Sequence, residues 1–118
     1  MSSSADSEPR TRYRILLAPR ALKDVELIYA YIAGEAPLAA ERWVEGVFRA
    51  MESLSSFPRR CGHAPEDEHL RIGLRQLIHG QYRILFTIDE WRRVVNVPHI
   101  RHGARQAASS EDVTDKTS

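Results

Sequence analysis

The chain has 118 residues, with 42% hydrophobic and 28% charged side chains and a formal net charge of +1; these are ordinary values for a single soluble domain with its own core. No apolar run approaches the roughly 20 residues of a membrane span. Residues 1–9 lack the basic and apolar regions of a signal peptide, and the single cysteine, Cys61, rules out an internal disulfide. The expectation is a cytoplasmic protein.

In chain order, residues 1–11 are Ser-rich and polar and read as a disordered tail. Tyr13-Arg14-Ile15-Leu16-Leu17 is a short β-run that stops at Ala18-Pro19. Proline fits the first helical position, because its φ is preset and it wastes no amide hydrogen, so Pro19 is predicted to open a helix. Leu22, Val25, Ile28, Tyr29 and Ile32 then recur at helical spacing as one apolar stripe, and Gly34 ends it. Pro37 opens a second helix running to about Ser55, with Ala40, Val44, Val47, Phe48, Met51 and Leu54 on its stripe and Trp43 beside it. The two make an antiparallel αα-hairpin. Phe57-Pro58 stops the second helix, and residues 58–69 read as a loop.

Three strand-like runs follow between Leu70 and Arg105. In the clearest, Tyr82, Ile84, Phe86 and Ile88 alternate with Arg83, Leu85, Thr87 and Asp89, so the two sets point to opposite faces. His79-Gly80 breaks the chain before this run and Asp89-Glu90 turns it afterwards. Val94-Val95-Asn96-Val97 then returns. The order β-α-α-β-β-β predicts an α+β fold: an N-terminal helical hairpin packed on one face of an antiparallel sheet, with the other face open and carrying arginines. Residues 12–105 form the domain and 106–118 a polar C-terminal tail. The place of the first strand in the sheet is left open.

Charge is unevenly spread. Residues 71–105 hold seven arginines against Asp89 and Glu90, a net +5, whereas residues 20–57 net −2. The planar guanidinium fork suits phosphates and carboxylates, so this distribution suggests an anionic partner, while for most of these arginines a solvated surface role is the plainer reading. Arg83 lies mid-strand, and Arg101 and Arg105 at the end of the last strand are placed to approach it. Converging with His79, His99 or His102, such arginines would stabilise a phosphoryl transition state and move protons; they would equally bind an acidic protein segment. Cys61, His63 and His69 share a loop with Glu66, Asp67 and Glu68, but their spacing matches no usual zinc pattern, and no metal or cofactor is expected. No phosphate loop or nucleophile elbow is present.

Several segments in this order resemble the RelE/ParE superfamily of toxins from bacterial type II toxin–antitoxin systems, also described as plasmid-stabilisation proteins. They are Ala21 to Ile32, Ala39-Ala40-Glu41-Arg42-Trp43, Phe57-Pro58-Arg59-Arg60, Leu74-Arg75-Gln76-Leu77, Gly80 to Phe86, and His99 to Arg105. The resemblance implies a helical hairpin against an antiparallel sheet and a cognate antitoxin that wraps the toxin. RelE-like members cut messenger RNA on the ribosome without a metal. By resemblance, Arg83 and Arg105 match arginines of that catalytic site, with His102 a further candidate. The two lysines of that site are replaced here by Leu74 and Gln76. ParE-like members poison DNA gyrase, and the long hairpin with Phe57-Pro58-Arg59-Arg60 looks closer to them.

The expectation is therefore a ParE-like growth inhibitor acting on DNA gyrase, with Trp43, Arg59, Arg60, Arg75, Arg83 and Arg101 as partner-binding residues. The alternatives are a ribosome-dependent mRNA endonuclease, a relic that only binds antitoxin, and a general nucleic-acid-binding module using the +5 segment.

Overall fold

A computed structural model of the chain describes residues 12–103; both expected tails and Arg105 lie outside the described residues. The elements are β1 (Arg14–Leu17), α1 (Pro19–Ala33), α2 (Pro37–Glu52), two 3-10 turns (Ser53–Ser55 and Pro58–Arg60), a short α3 (Asp67–Leu70), β2 (Arg75–His79), β3 (Tyr82–Asp89) and β4 (Val94–His102). Among the described residues no helix is long and apolar enough to cross a membrane.

Proline opens both long helices as predicted. The linker between them ends at Ala36 in a non-helical conformation (φ −147°, ψ 83°), because the ring of Pro37 excludes helical geometry from the residue before it. The α-helical part of the second helix stops at Glu52, and the last turn tightens to 3-10 geometry. The stripe on α1 is rotated slightly from the expected one. Ala21, Val25 and Ile28 meet the core, whereas Leu22 and Tyr29 are exposed. On α2, Val47, Met51 and, beyond it, Leu54 are fully buried, while Phe48 is 42% exposed.

The sheet order is β1-β4-β3-β2. β2, β3 and β4 are antiparallel neighbours as expected, and β1 adds parallel to β4, so the sheet is mixed. The α1 crossover and the rest of the chain return β4 beside β1 in the same direction, as parallel pairing requires a long connection. The β2–β3 hairpin turns at Gly80-Gln81, with Gly80 at φ +61°, the backbone a type II′ turn asks of its first position. Along β3 and β4 the pairing passes from Leu85↔His99 to Thr87↔Asn96, so Val97 and Pro98 together oppose Phe86. Pro98 cannot donate to a ladder, and a bulge is the place an interior strand tolerates it.

The helix-side core holds Ile84, Phe86, Val95, Val97 and Ile100 against α1 and α2, matching the parity of the β3 run. The opposite face is not open, contrary to the sequence expectation. The segment between α2 and β2 folds across it, and Ala64 (2% exposed), Leu74 (5%) and Leu85 (3%) form a second, small apolar cluster there. Leu85 was the clue: an apolar side chain on the arginine-bearing face gains by being covered, and the chain covers it itself. Asp67 holds this cover in place. Its Oδ1 accepts the Ile72 and Leu74 N–H groups at 2.9 and 3.0 Å. Those backbone hydrogen bonds, led by Leu74, hold its carboxyl below the usual carboxylate range.

Candidate functional site

Arg83 is 6% exposed. On the covered face its Nη1 and Nη2 donate to Glu66 Oε1 and Oε2 at 3.1 and 2.6 Å, and Nη1 also donates to Gln76 Oε1 at 2.7 Å. The two terminal nitrogens thus meet both carboxylate oxygens end-on, a bidentate charge-assisted pair. Its Nε is buried with no acceptor among the described residues, a cost the bidentate pair offsets. The Arg83 hydrogen bond pulls Glu66 below its ordinary carboxyl range. Two elements deliver these groups: β2 places Gln76 diagonal to Arg83 through the Ile78↔Arg83 register, and the turn just before α3 carries Glu66.

Arg101 pairs with Arg83 across β3 and β4, and its charge also favours ionised Glu66. The histidines do not join them. His79, Tyr82 and His102 occupy one cross-strand row on the helix side, the opposite face from Arg83, because alternate residues of a strand face opposite ways. His99 Nδ1 approaches Asp24 Oδ2 at 3.6 Å. His79 and His102 thus lie across the sheet from Arg83, and His99 is engaged by Asp24.

A second constellation lies on the helix side. Tyr82 packs edge-on between Trp43 of α2 (5.4 Å between centroids) and His102 (5.1 Å). Beside them Leu27, Ile28 and Tyr31 of α1 face Tyr82, Ile100 and His102 across an open groove of about 350 Å³. Leu27 and Tyr31 are 59% and 73% exposed. The other arginines named from sequence lie elsewhere. Arg60 donates from Nη1 to the Ser53, Ser56 and Phe57 carbonyls, closing the end of the second helical segment. Arg75 donates to the Cys61 and Arg59 carbonyls. Arg59 Nε meets Glu90 Oε2 at 2.5 Å.

Cys61 is buried in the core, and no group of three or more metal-ligating side chains forms among the described residues. Sequence reasoning passed over Glu66 as a partner for Arg83 and Gln76 as its diagonal neighbour. The signal for Gln76 was the two-residue turn at Gly80-Gln81, which sets the β2–β3 register. Glu66 gave none, because its approach depends on the fold of a long loop.

The surroundings of Arg83 thus support charge neutralisation within the molecule, and the groove by Tyr82 offers an apolar seat with an imidazole at its edge. Several solved structures share the fold. The chromosomal ParDE toxin–antitoxin system of P. aeruginosa aligns with a TM-score of 0.65 at 15% identity, covering 78% of this chain and 97% of that one. The toxin–antitoxin complex RelBE2 of Mycobacterium tuberculosis gives 0.53 at 24% identity, over 78% and 92% of the two chains. A double arginine-to-alanine mutant of the E. coli toxin RelE in the free state gives 0.57 at 15%, over 87% and 96%. No curated protein sequence matches. The family model described as the ParE toxin of the type II toxin–antitoxin system parDE matches residues 15–107, most of the domain, and the chain belongs to that family.

Proposed function

We propose that this toxin acts as the ParE-like reading implies, by inhibiting DNA gyrase in the cytoplasm, and that a cognate antitoxin neutralises it. The observation that carries the choice is the state of Arg83. A metal-independent RNA cleavage site needs cationic groups that reach the scissile phosphate. Here the strand arginine is buried and already bound by Glu66 and Gln76, and Leu74, at one of the positions lost relative to the nucleases, is a core residue. Arg105 lies outside the described residues and adds nothing to either side.

An antitoxin suits the groove beside Tyr82 and His102. Exposed Leu27 and Tyr31 give it apolar contact area, and an amphipathic or extended segment laid there would bury both. Two of the structural relatives are toxin–antitoxin assemblies by description, which supports the same partner here.

The test is gyrase supercoiling in vitro with the purified chain, paired with primer extension on abundant messages after induction in a bacterial host. Inhibited supercoiling with intact messages is the expected result. Messages cut at codon-related positions, with cutting lost in Arg83→Ala, would overturn the gyrase reading in favour of a ribosome-dependent nuclease. Normal growth with intact messages and active gyrase would leave a chain that only binds antitoxin.

A further inference from the structure

We infer that the β3–β4 hairpin tip, with the adjoining segment around Phe57, is a binding surface for single-stranded nucleic acid. Two large aromatic rings stand out in solvent there: Trp91 is 91% exposed and Phe57 75%. Leaving an indole so fully in water forgoes one of the largest apolar burials a side chain offers. Phe57 also sits in the left-handed region (φ 49°, ψ 56°), where a non-glycine residue is strained. Neither ring contributes to the core cluster.

The two rings belong to one end of the molecule, whose segments are bonded to one another. Arg59, two residues after Phe57, is bridged to Glu90, which precedes Trp91. Tyr13 Oη donates to Glu90 Oε1 at 2.7 Å, the Tyr13 N–H donates to the Ser55 carbonyl at 2.9 Å, and the Arg14 N–H donates to the Arg93 carbonyl at 3.0 Å. Residues 12–14, 55–60 and 89–93 are thereby stitched together, and they carry six arginines against Asp89 and Glu90, a net +4. The two acids engage Arg92 and Arg59, whose side chains are still 74% and 63% exposed, so both guanidiniums can also face an incoming anion.

A nucleotide joins the two features this surface complements, a flat π-face and a negative charge, in one repeating unit. Aromatic rings stack bases without regard to sequence while arginines track the phosphates. A flexible single strand can bend around a hairpin tip and meet both rings and the arginines in succession. The surface is also separate from Arg83, which lies seven residues from Glu90 along β3, roughly 23 Å at strand rise. It is independent of which cellular target the toxin acts on.

The experiment measures binding of a fluorescein-labelled oligothymidylate, about 15 nucleotides long, to the purified full chain by anisotropy, together with the protein's own tryptophan emission. Expected are saturable binding that weakens steeply as salt rises and quenching of emission on binding. Trp91→Ala should weaken binding on the order of tenfold or more and abolish the quenching, since Trp43 is packed against Tyr82. Phe57→Ala should weaken it to a lesser degree. Both side chains are exposed, so circular dichroism should be unchanged. Absence of binding at low salt overturns the inference. So does binding that ignores both aromatic substitutions, which would mark a merely basic surface. If Trp91→Ala leaves the oligonucleotide bound as before and weakens the antitoxin instead, the tip is a protein interface and the inference also falls.

Discussion

The Asp24 carboxylate on α1 accepts the Ile100 N–H of β4 at 3.0 Å. β1 pairs with β4 only as far as Val97, so past that point a strand in the middle of the sheet has an unpaired edge. A helix side chain closes it, and the same carboxylate lies 3.6 Å from His99 and 3.7 Å from Arg20. Ile100 is 3% exposed, and its amide has little water to turn to. Asp24→Ala should therefore lower unfolding free energy by about 1–3 kcal/mol, the cost of an orphaned buried donor. Asp24→Asn, which keeps an acceptor, should recover most of it. Urea denaturation of the three proteins decides the point.

Glu66→Gln should cost on the order of 1 kcal/mol, because the Glu66 side chain is 37% exposed and solvent screens part of the pair. The pH dependence is more telling. Arg83 holds the Glu66 carboxyl low in the folded state, so the pair stabilises fully above the ordinary carboxylate range and the contribution fades as pH falls through the folded-state value. The gap between wild type and Glu66→Gln should be constant near neutrality and narrow below about pH 4. A gap that widens on acidification would mean that Glu66 is not held ionised by Arg83.

Phe57→Gly should raise stability by roughly 0.5–1 kcal/mol, since glycine relieves the left-handed backbone while adding freedom to the unfolded chain. Phe57 has little packing to lose. Thermal melts should show a rise of a few degrees for a domain of this size. The same variant is expected to bind single-stranded nucleic acid less well, so stability and binding should move in opposite directions.

Cys61 is 8% exposed and packed in the core, and burial raises its thiol above the usual range. Ellman's reagent should react with it slowly in the native protein and rapidly in denaturant. Fast reaction of the folded chain would mean that the segment around Pro58–Arg60 opens readily.

Val47 has no exposed surface and sits on α2 against the sheet. Val47→Asp places an unpaired charge there and should unfold the domain, since the penalty rivals the whole stability of a small protein. Far-ultraviolet circular dichroism after expression at low temperature reads the outcome directly; a native helical spectrum would contradict the assigned face of α2.

Much of this architecture was legible in the residues. Pro19 and Pro37 start helices through their own φ, and the alternation from Tyr82 to Asp89 names the core face of β3, because both signals act within a few bonds of the residue concerned. Gly80-Gln81 likewise fixes the register of β2 on β3. The arginine-bearing face was read correctly in direction and wrongly in exposure. Parity tells which way Arg83 points, but whether water or Glu66 meets it depends on how the segment from Pro58 to Gly73 closes over Leu85, a long-range choice in which Asp67 and the buried Ala64 and Leu74 take part. The placement of β1 parallel to β4, the capping of Ile100 by Asp24, and the gathering of Tyr13, Phe57, Arg59, Glu90 and Trp91 at one end are of the same kind. Each joins residues more than thirty positions apart in the chain, and only the packing of helices on the sheet brings them within reach.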